Sequence, residues 1–293
     1  MNQGSDAKLE ERLRDAINRH GHAFQDAIYR QITTPSIPGH TWEPWVPEFP
    51  VGNDQHNTRI DLILTNPMKN IYLVCECKRV NPSLADWCFS KSAFTPRMDG
   101  LDVSNDVYAE TFGRVEVHQR TVLRARISPF TADAKIYHRG LEVKGQEKGE
   151  NSSVGRGQIE EAATQVCKGL NGLANFFAQH LGIFSTQKFI SIIPVIITTA
   201  NLWSTIADSS RIDIKTGNYP AGAIQLSAEP WLWFHYPQSD QLKHSIPMQY
   251  EPSNISQILY RNYIRPIAIV NSASIGHFLG STLWNFFNHE NNA

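Results

Sequence analysis

Two short apolar runs, Thr58-Arg-Ile-Asp-Leu-Ile-Leu-Thr65 and Ile71-Tyr-Leu-Val-Cys-Glu-Cys-Lys78, flank a turn-forming Asn66-Pro67 and predict a β-hairpin. Side chains two apart on a strand share a face, about 6.5–7 Å apart along it. Glu76 and Lys78 therefore project together, while Cys75 and Cys77 face the other way with Ile71 and Leu73. With Asp61 facing the same way on the neighbouring strand, two carboxylates and one amine converge.

The remaining pattern frames this hairpin. Residues 6–32 read as helical with a break near His20-Gly21-His22, and Phe24, Ala27, Ile28 and Ile32 mark a buried face. Trp42 to Val51 is proline-rich and predicts a connecting loop or a short edge strand. Farther on, Arg114 to Ile127 alternates as a strand, with Ala134 to Lys144 as its expected partner. Ser152-Ser153 offers an N-cap to the clearest helix, whose apolar stripe is Ile159, Ala162, Ala163, Val166, Leu170, Leu173 and Phe177. Gln158, Glu161, Gln165 and Lys168 run along its flank. Phe189 to Thr199 reads as a buried strand, Trp231 to Tyr236 and Ile264 to Val270 as two more, and Ser274 as the cap of a last helix through Phe287.

Composition narrows the function classes. A chain of 293 residues can bury one large core or two smaller ones. Its net charge of −1 argues against a generally sticky polyanion binder, so such a partner needs a local patch. Residues 113–148 supply one candidate, with eight Lys and Arg against four acids, 8 − 4 = +4. A phosphate-contacting arm and a solvated hairpin of mixed charge explain it equally well. The N-terminus lacks the apolar core of a signal peptide. The longest apolar run, Phe189 to Ala200, is too short for a bilayer and contains Pro194, so a cytoplasmic protein with no membrane partner is expected. Cys75, Cys77, Cys88 and Cys167 form no C-x-x-C pair, which disfavours zinc, and Cys75 and Cys77 read as small buried residues behind the hairpin.

No Walker-type glycine loop and no G-x-S-x-G elbow is present, so the acidic pair with its lysine is the leading chemistry. Two carboxylates a few Å apart repel by about 4 kcal/mol at an effective dielectric near 20. A divalent cation reverses that penalty and acts as a Lewis acid on a phosphate. A structural salt bridge is the competing reading, although charges among apolar strands are costly unless they face a cleft or a metal.

The order helix, strand with Asp61, strand with Glu76-x-Lys78, helix, strand resembles the core of the PD-(D/E)XK, or restriction-endonuclease-like, nuclease superfamily, over about Ala7 to Leu202. The resemblance implies an α/β fold: a restriction-endonuclease-like core with a mixed central sheet flanked by helices, over residues 1–205, with an inserted basic segment at about 81–150. Residues 206–293 are then a C-terminal extension packed on that core, with a recognition or dimerisation role. It implies Mg²⁺, with Mn²⁺ as a substitute, held by Asp61 and Glu76, and Lys78 as the motif lysine. Gln165, carried over from the glutamine often found on the following helix, would steady the attacking water or Lys78. It further implies a homodimeric endonuclease acting on DNA, with RNA left open; the basic 113–148 arm, through Arg120, Arg124, Arg126 and Lys144, would hold the backbone. The alternative is a nucleic-acid-binding or assembly protein that keeps the fold without cutting.

Two departures stand out. Ile60 takes the place of the motif proline, and Gln25, after Phe24, takes the place of an acid that many relatives carry on the first helix. A second Glu-x-Lys, Glu142-Val-Lys144 with Asp133 upstream, competes with the first but lies in a polar stretch without a comparable strand before it.

Overall fold

The computed structural model describes residues 3–19, 21–34, 41–53, 56–91, 101–112, 114–125, 136–143, 157–180, 189–207, 209–237 and 264–280. Helices α1 (Gln3–Arg19) and α2 (His22–Thr33) come first, broken at Gly21, whose φ of 79° suits a residue without a Cβ. Strands β1 (Glu43–Asn53), β2 (His56–Thr65) and β3 (Ile71–Lys78) follow as an antiparallel meander. The proline-rich stretch is thus an edge strand of eleven residues, and an edge is where prolines without an N–H are tolerated. In the β2–β3 turn the Asn66 side-chain oxygen accepts the N–H groups of Asn70 and Ile71.

Helix α3 (Gln158–Gln179) then leads into β9 (Phe189–Thr198), which runs parallel to β3 from Ile71↔Ser191 to Lys78↔Thr198. A parallel neighbour demands a crossover, and α3 lies on it. The large sheet has the order β1-β2-β3-β9-β13-β12-β7, where β7 is Ile136–Tyr137, β12 is Trp231–Pro237 and β13 is Ile264–Asn271. A hairpin of β5 (Leu101–Phe112) and β6 (Arg114–Ala125) joins the same sheet through β9. Pro194 has no N–H to give a ladder. It falls between the β5 pairing, which ends at Ile192, and the β13 pairing, which starts at Val195, so a central strand accommodates it. The fold class is α/β, a mixed sheet flanked by helices.

One face of the sheet packs against α3 through Ile60, Ile63, Tyr72, Val74, Ile192 and Ile196. The other packs Leu62, Leu64, Leu73, Cys75, Cys77 and Val195 against Ile28 and Ile32 of α2 and against α4 (Ile275–Gly280). Cys75 and Cys77 are buried behind the hairpin as expected, whereas Ala27 is exposed. All seven positions of the predicted α3 stripe are buried. The helix approaches the sheet so closely that a Cβ at Gly172 would lie 2.5 Å from Val51 Cβ. Gly172→Ala is therefore expected to lower the melting temperature by several degrees. Its overpacking cost of ~2 kcal/mol exceeds the ~1 kcal/mol gained in helix propensity.

Several expectations need correction. Among the described residues, Ala134 to Lys144 does not pair with β6. The described part of it divides between β7, beside β12, and β8 (Arg139–Val143), beside β4 (Asp86–Ser90). With β10 (Asn201–Ala207) and β11 (Ile224–Glu229), β4 and β8 form a second sheet of order β11-β10-β4-β8. The last two strands among the described residues, from the stretch read as an extension, pair inside the large sheet, β13 directly with β9. Ser152, Ser153 and residues 281–287 lie outside the described residues. No helix among the described residues is long and apolar enough to cross a membrane.

Candidate active site

Where β2 and β3 separate, the ladder ends at Leu62↔Cys75 and leaves the Cys77 N–H without a strand partner. The Asp61 carboxylate takes that N–H instead, at 2.7 Å. On the other side Glu48 and Asp61 fall between the registered pairs Pro47↔Leu62 and Phe49↔Ile60, and Glu48 adopts a left-handed φ of 51°. The alternation of faces slips here too, since Ile60 and Ile63 both meet α3. Asp61 thus sits at a local irregularity of the sheet, held by backbone rather than by an opposing charge.

An open cleft of about 640 Å³ begins at this point. Its walls include Gln25 from α2, Asp61 from β2, Glu76 and Lys78 from β3, and Gln158, Glu161 and Gln165 from α3. All four residues expected to carry the chemistry, Asp61, Glu76, Lys78 and Gln165, therefore line one cavity. It opens at the carboxyl ends of the parallel strands β3 and β9, a recurrent place for ligand crevices in α/β sheets. Gln25 hydrogen-bonds to Asp61 through its side chain, so α2 does deliver its residue to the first acid, as an amide.

Electrostatics set these acids apart from surface carboxylates. Burial pushes the Glu76 carboxyl up to about 8, and the negative charge of Asp61 adds to the effect while Lys78 opposes it. Burial also raises Asp61, against the lowering influence of the Cys77 N–H and Gln25. The site therefore disfavours two negative charges unless a cation joins them. Lys78 donates to Glu161 at 2.7 Å across the cleft, from strand to helix. The side-chain oxygens of Gln158 and Gln165 are buried without a hydrogen-bond partner. Burial raises the thiols of Cys75 and Cys77 as well, which keeps them inert.

Among the described residues no group of three or more His, Cys, Asp or Glu side chains is arranged as a metal cage. The cleft is lined instead by three carboxylates, Asp61, Glu76 and Glu161, the last engaged by Lys78, which leaves Asp61 and Glu76 as the pair available to a cation, with amides around them. That suits Mg²⁺, which is commonly held by one or two carboxylates, water and substrate phosphate.

The second Glu-x-Lys has a structural occupation. Glu142 accepts the Ile159 N–H at 2.8 Å and so caps α3, whose N-cap residue is Gly157. Asp133 and Lys144 lie outside the described residues, as does Arg126. Arg120 and Arg124 are on β6 at register positions opposite Asp106 and Asp102. The hairpin strands, residues 101–125, hold three Arg against four Asp and Glu, 3 − 4 = −1, so the positive excess of 113–148 is not carried by the hairpin itself.

No family model, curated protein or solved structure matches the chain.

The sequence does not single out Glu161, which lines the cleft, or Glu48, which lies opposite Asp61 on β1 outside the cleft lining. Glu161 was legible as a position, because it precedes Gln165 by four on the polar flank of α3 and i,i+4 residues share a helix face. Glu48 gave no signal, since its place depends on a backbone irregularity inside a proline-rich strand.

Proposed function

We propose that this protein is a metal-dependent endonuclease with a restriction-endonuclease-like core, hydrolysing phosphodiester bonds, of DNA in the first instance. The observation that carries the reading is the convergence of Asp61, Glu76 and Lys78 in one open cleft, with both acids held above their ordinary pKa. The order α2, β1, β2, β3, α3, β9 and the parallel pairing of β3 with β9 support the same architecture.

Asp61 and Glu76 would hold a divalent cation, Mg²⁺ or Mn²⁺, which supplies Lewis acidity against the phosphate oxygens. The residues of the chain do the rest. Asp61 is fixed by the Cys77 N–H, so its second oxygen is oriented before any ligand arrives. Lys78 is placed on the same strand face as Glu76, where its ammonium can neutralise charge building on the scissile phosphate or orient the attacking water. Gln165, one α3 turn beyond Glu161, offers an amide to the same water.

The competing reading, a binding protein without turnover, draws on Gln25 in place of a helix acid and on the engagement of Lys78 by Glu161. Incubation of purified protein with supercoiled plasmid and with circular single-stranded DNA, in Mg²⁺ or Mn²⁺, decides between them. The nuclease nicks or linearises at least one substrate and stops when the metal is chelated. Salt-sensitive DNA binding without any cleavage supports the inactive binder instead.

A further inference from the structure

Two imidazoles stand together far along the sheet from the cleft lining. Strand β7 has two residues and pairs in parallel with β12 through Trp233↔Ile136 and Phe234↔Tyr137. One register step farther, His138 comes beside His235. There the chain leaves β7 for β8, and the His138 N–H donates to the Ser90 carbonyl of β4. Phe234 and Tyr236 face α3, so His235 between them lies on the opposite face of β12, with Trp231 and Trp233. His138 is half-buried, and His235 is only 5% exposed.

The rings meet edge to face, with centroids 5.3 Å apart and planes at 89°. Aromatic packing alone can produce that geometry, but it does not account for the nitrogens. The Nδ1 atoms of both His138 and His235 are buried without a hydrogen-bond partner. A buried ring nitrogen left so costs free energy whether it carries a proton or a lone pair. One cation accepting both lone pairs removes both costs. The separation fits such an ion. With nitrogen ligands at about 2.0–2.1 Å and ring centres roughly 1.1 Å behind them, two imidazoles on a tetrahedral ion have centroids about 5 Å apart. Burial lowers both imidazoles, His235 to about 3 with the charge of His138 adding to the effect, so both rings are in the neutral, ligating form at pH 7. The Lys91 charge adds to the lowering at His138, but Lys91 is exposed and water screens it from the pair.

We infer that His138 and His235 form a Zn²⁺ site, separate from the cleft, that ties the short edge strand β7 to β12. The donors select the ion, since imidazole suits Zn²⁺ whereas Mg²⁺ takes oxygen ligands. The cysteine spacing that disfavours a thiolate zinc centre does not bear on it. Two protein ligands leave the other positions to water, so the site is open and weaker than a closed four-ligand centre. The inference does not rest on the nuclease reading.

Titration calorimetry of Zn²⁺ into the full chain carrying Asp61→Ala tests it, because the cleft has then lost a carboxylate. Saturable binding is expected, with a rise in melting temperature on adding Zn²⁺. His138→Gln in the same background weakens binding at least tenfold and removes that rise, while its melting temperature in chelator stays within a few degrees of its parent's. His235→Gln, at the more buried ring, is the second variant and loses binding in the same way. His180→Gln, at an exposed histidine, leaves binding unchanged. Absence of Zn²⁺ binding to the Asp61→Ala chain overturns the proposal. So does binding that His138→Gln leaves within twofold, and the two rings are then an edge-to-face packing pair without an ion.

Discussion

Lys78→Ala is expected to lower the single-turnover rate of metal-dependent cleavage by about 10²–10⁴-fold, the range for removing a positioned proton-transfer group or a donor to developing charge. Asp61→Ala is expected to go further and take cleavage to background, because it would remove a ligand of the proposed cation together with the charge that the Cys77 N–H and Gln25 orient. The control is Glu142→Gln. That residue caps α3 and lies outside the residues lining the cleft, so the variant loses ~1 kcal/mol of stability and keeps the rate within a few-fold. Plasmid cleavage by the four proteins under identical metal and salt conditions gives the comparison. A rate that survives both Asp61→Ala and Lys78→Ala places the chemistry elsewhere.

Glu76→Gln carries the second large effect, on stability. The Glu76 carboxyl titrates about 8 in the folded chain, against an ordinary 4.5 when unfolded. Between those values the folded state holds a proton that the unfolded state has released. The stabilising contribution is therefore complete below about pH 4.5, declines as pH rises and is gone above about pH 8. Asp61 is raised too and acts in the same direction. In metal-free protein, Glu76→Gln should be more stable than wild type at pH 9 by up to ~5 kcal/mol and indistinguishable from it at about pH 4. Thermal unfolding in a chelator at both pH values measures this. Adding Mg²⁺ at pH 9 should raise the melting temperature of wild type and leave the variant unmoved, because the cation replaces the proton between the two acids. Equal melting temperatures for variant and wild type at pH 9 would show that Glu76 is not held in a penalising environment.

The parts of this site that were legible in the sequence are those set by local rules. The β2–β3 hairpin follows from two apolar runs and an Asn-Pro turn, and period two put Glu76 and Lys78 on one face with the cysteines behind. Helix α3 follows from seven apolar positions at helical spacing, and its polar flank came with it. Local rules failed where pairing is distant. Strand β5 is polar and β4 has five residues, so neither stands out, and β8 was matched to β6 instead of to β4. Short strands in a small sheet show alternation too weak to name their neighbours. The Asp61 irregularity was equally hidden. Nothing in Thr58–Thr65 shows that the ladder ends at Leu62 or that a carboxylate takes the N–H left over. Nor does spacing distinguish the Glu-x-Lys that lines a cleft from the one that caps a helix. Glu142 and Glu76 differ in surroundings that only the fold assembles.

Metal-dependent cleavage at this cleft requires Asp61 and Glu76 to act as one cation site. Titration of Mn²⁺ into wild type and Asp61→Ala at pH 7, followed by calorimetry in two buffers of different ionisation enthalpy, tests this most directly. The expected result is saturable binding to wild type with release of protons, as Glu76 gives up the one it holds, and affinity at least tenfold weaker in Asp61→Ala. Mn²⁺ bound equally by both proteins, or by neither, would contradict it.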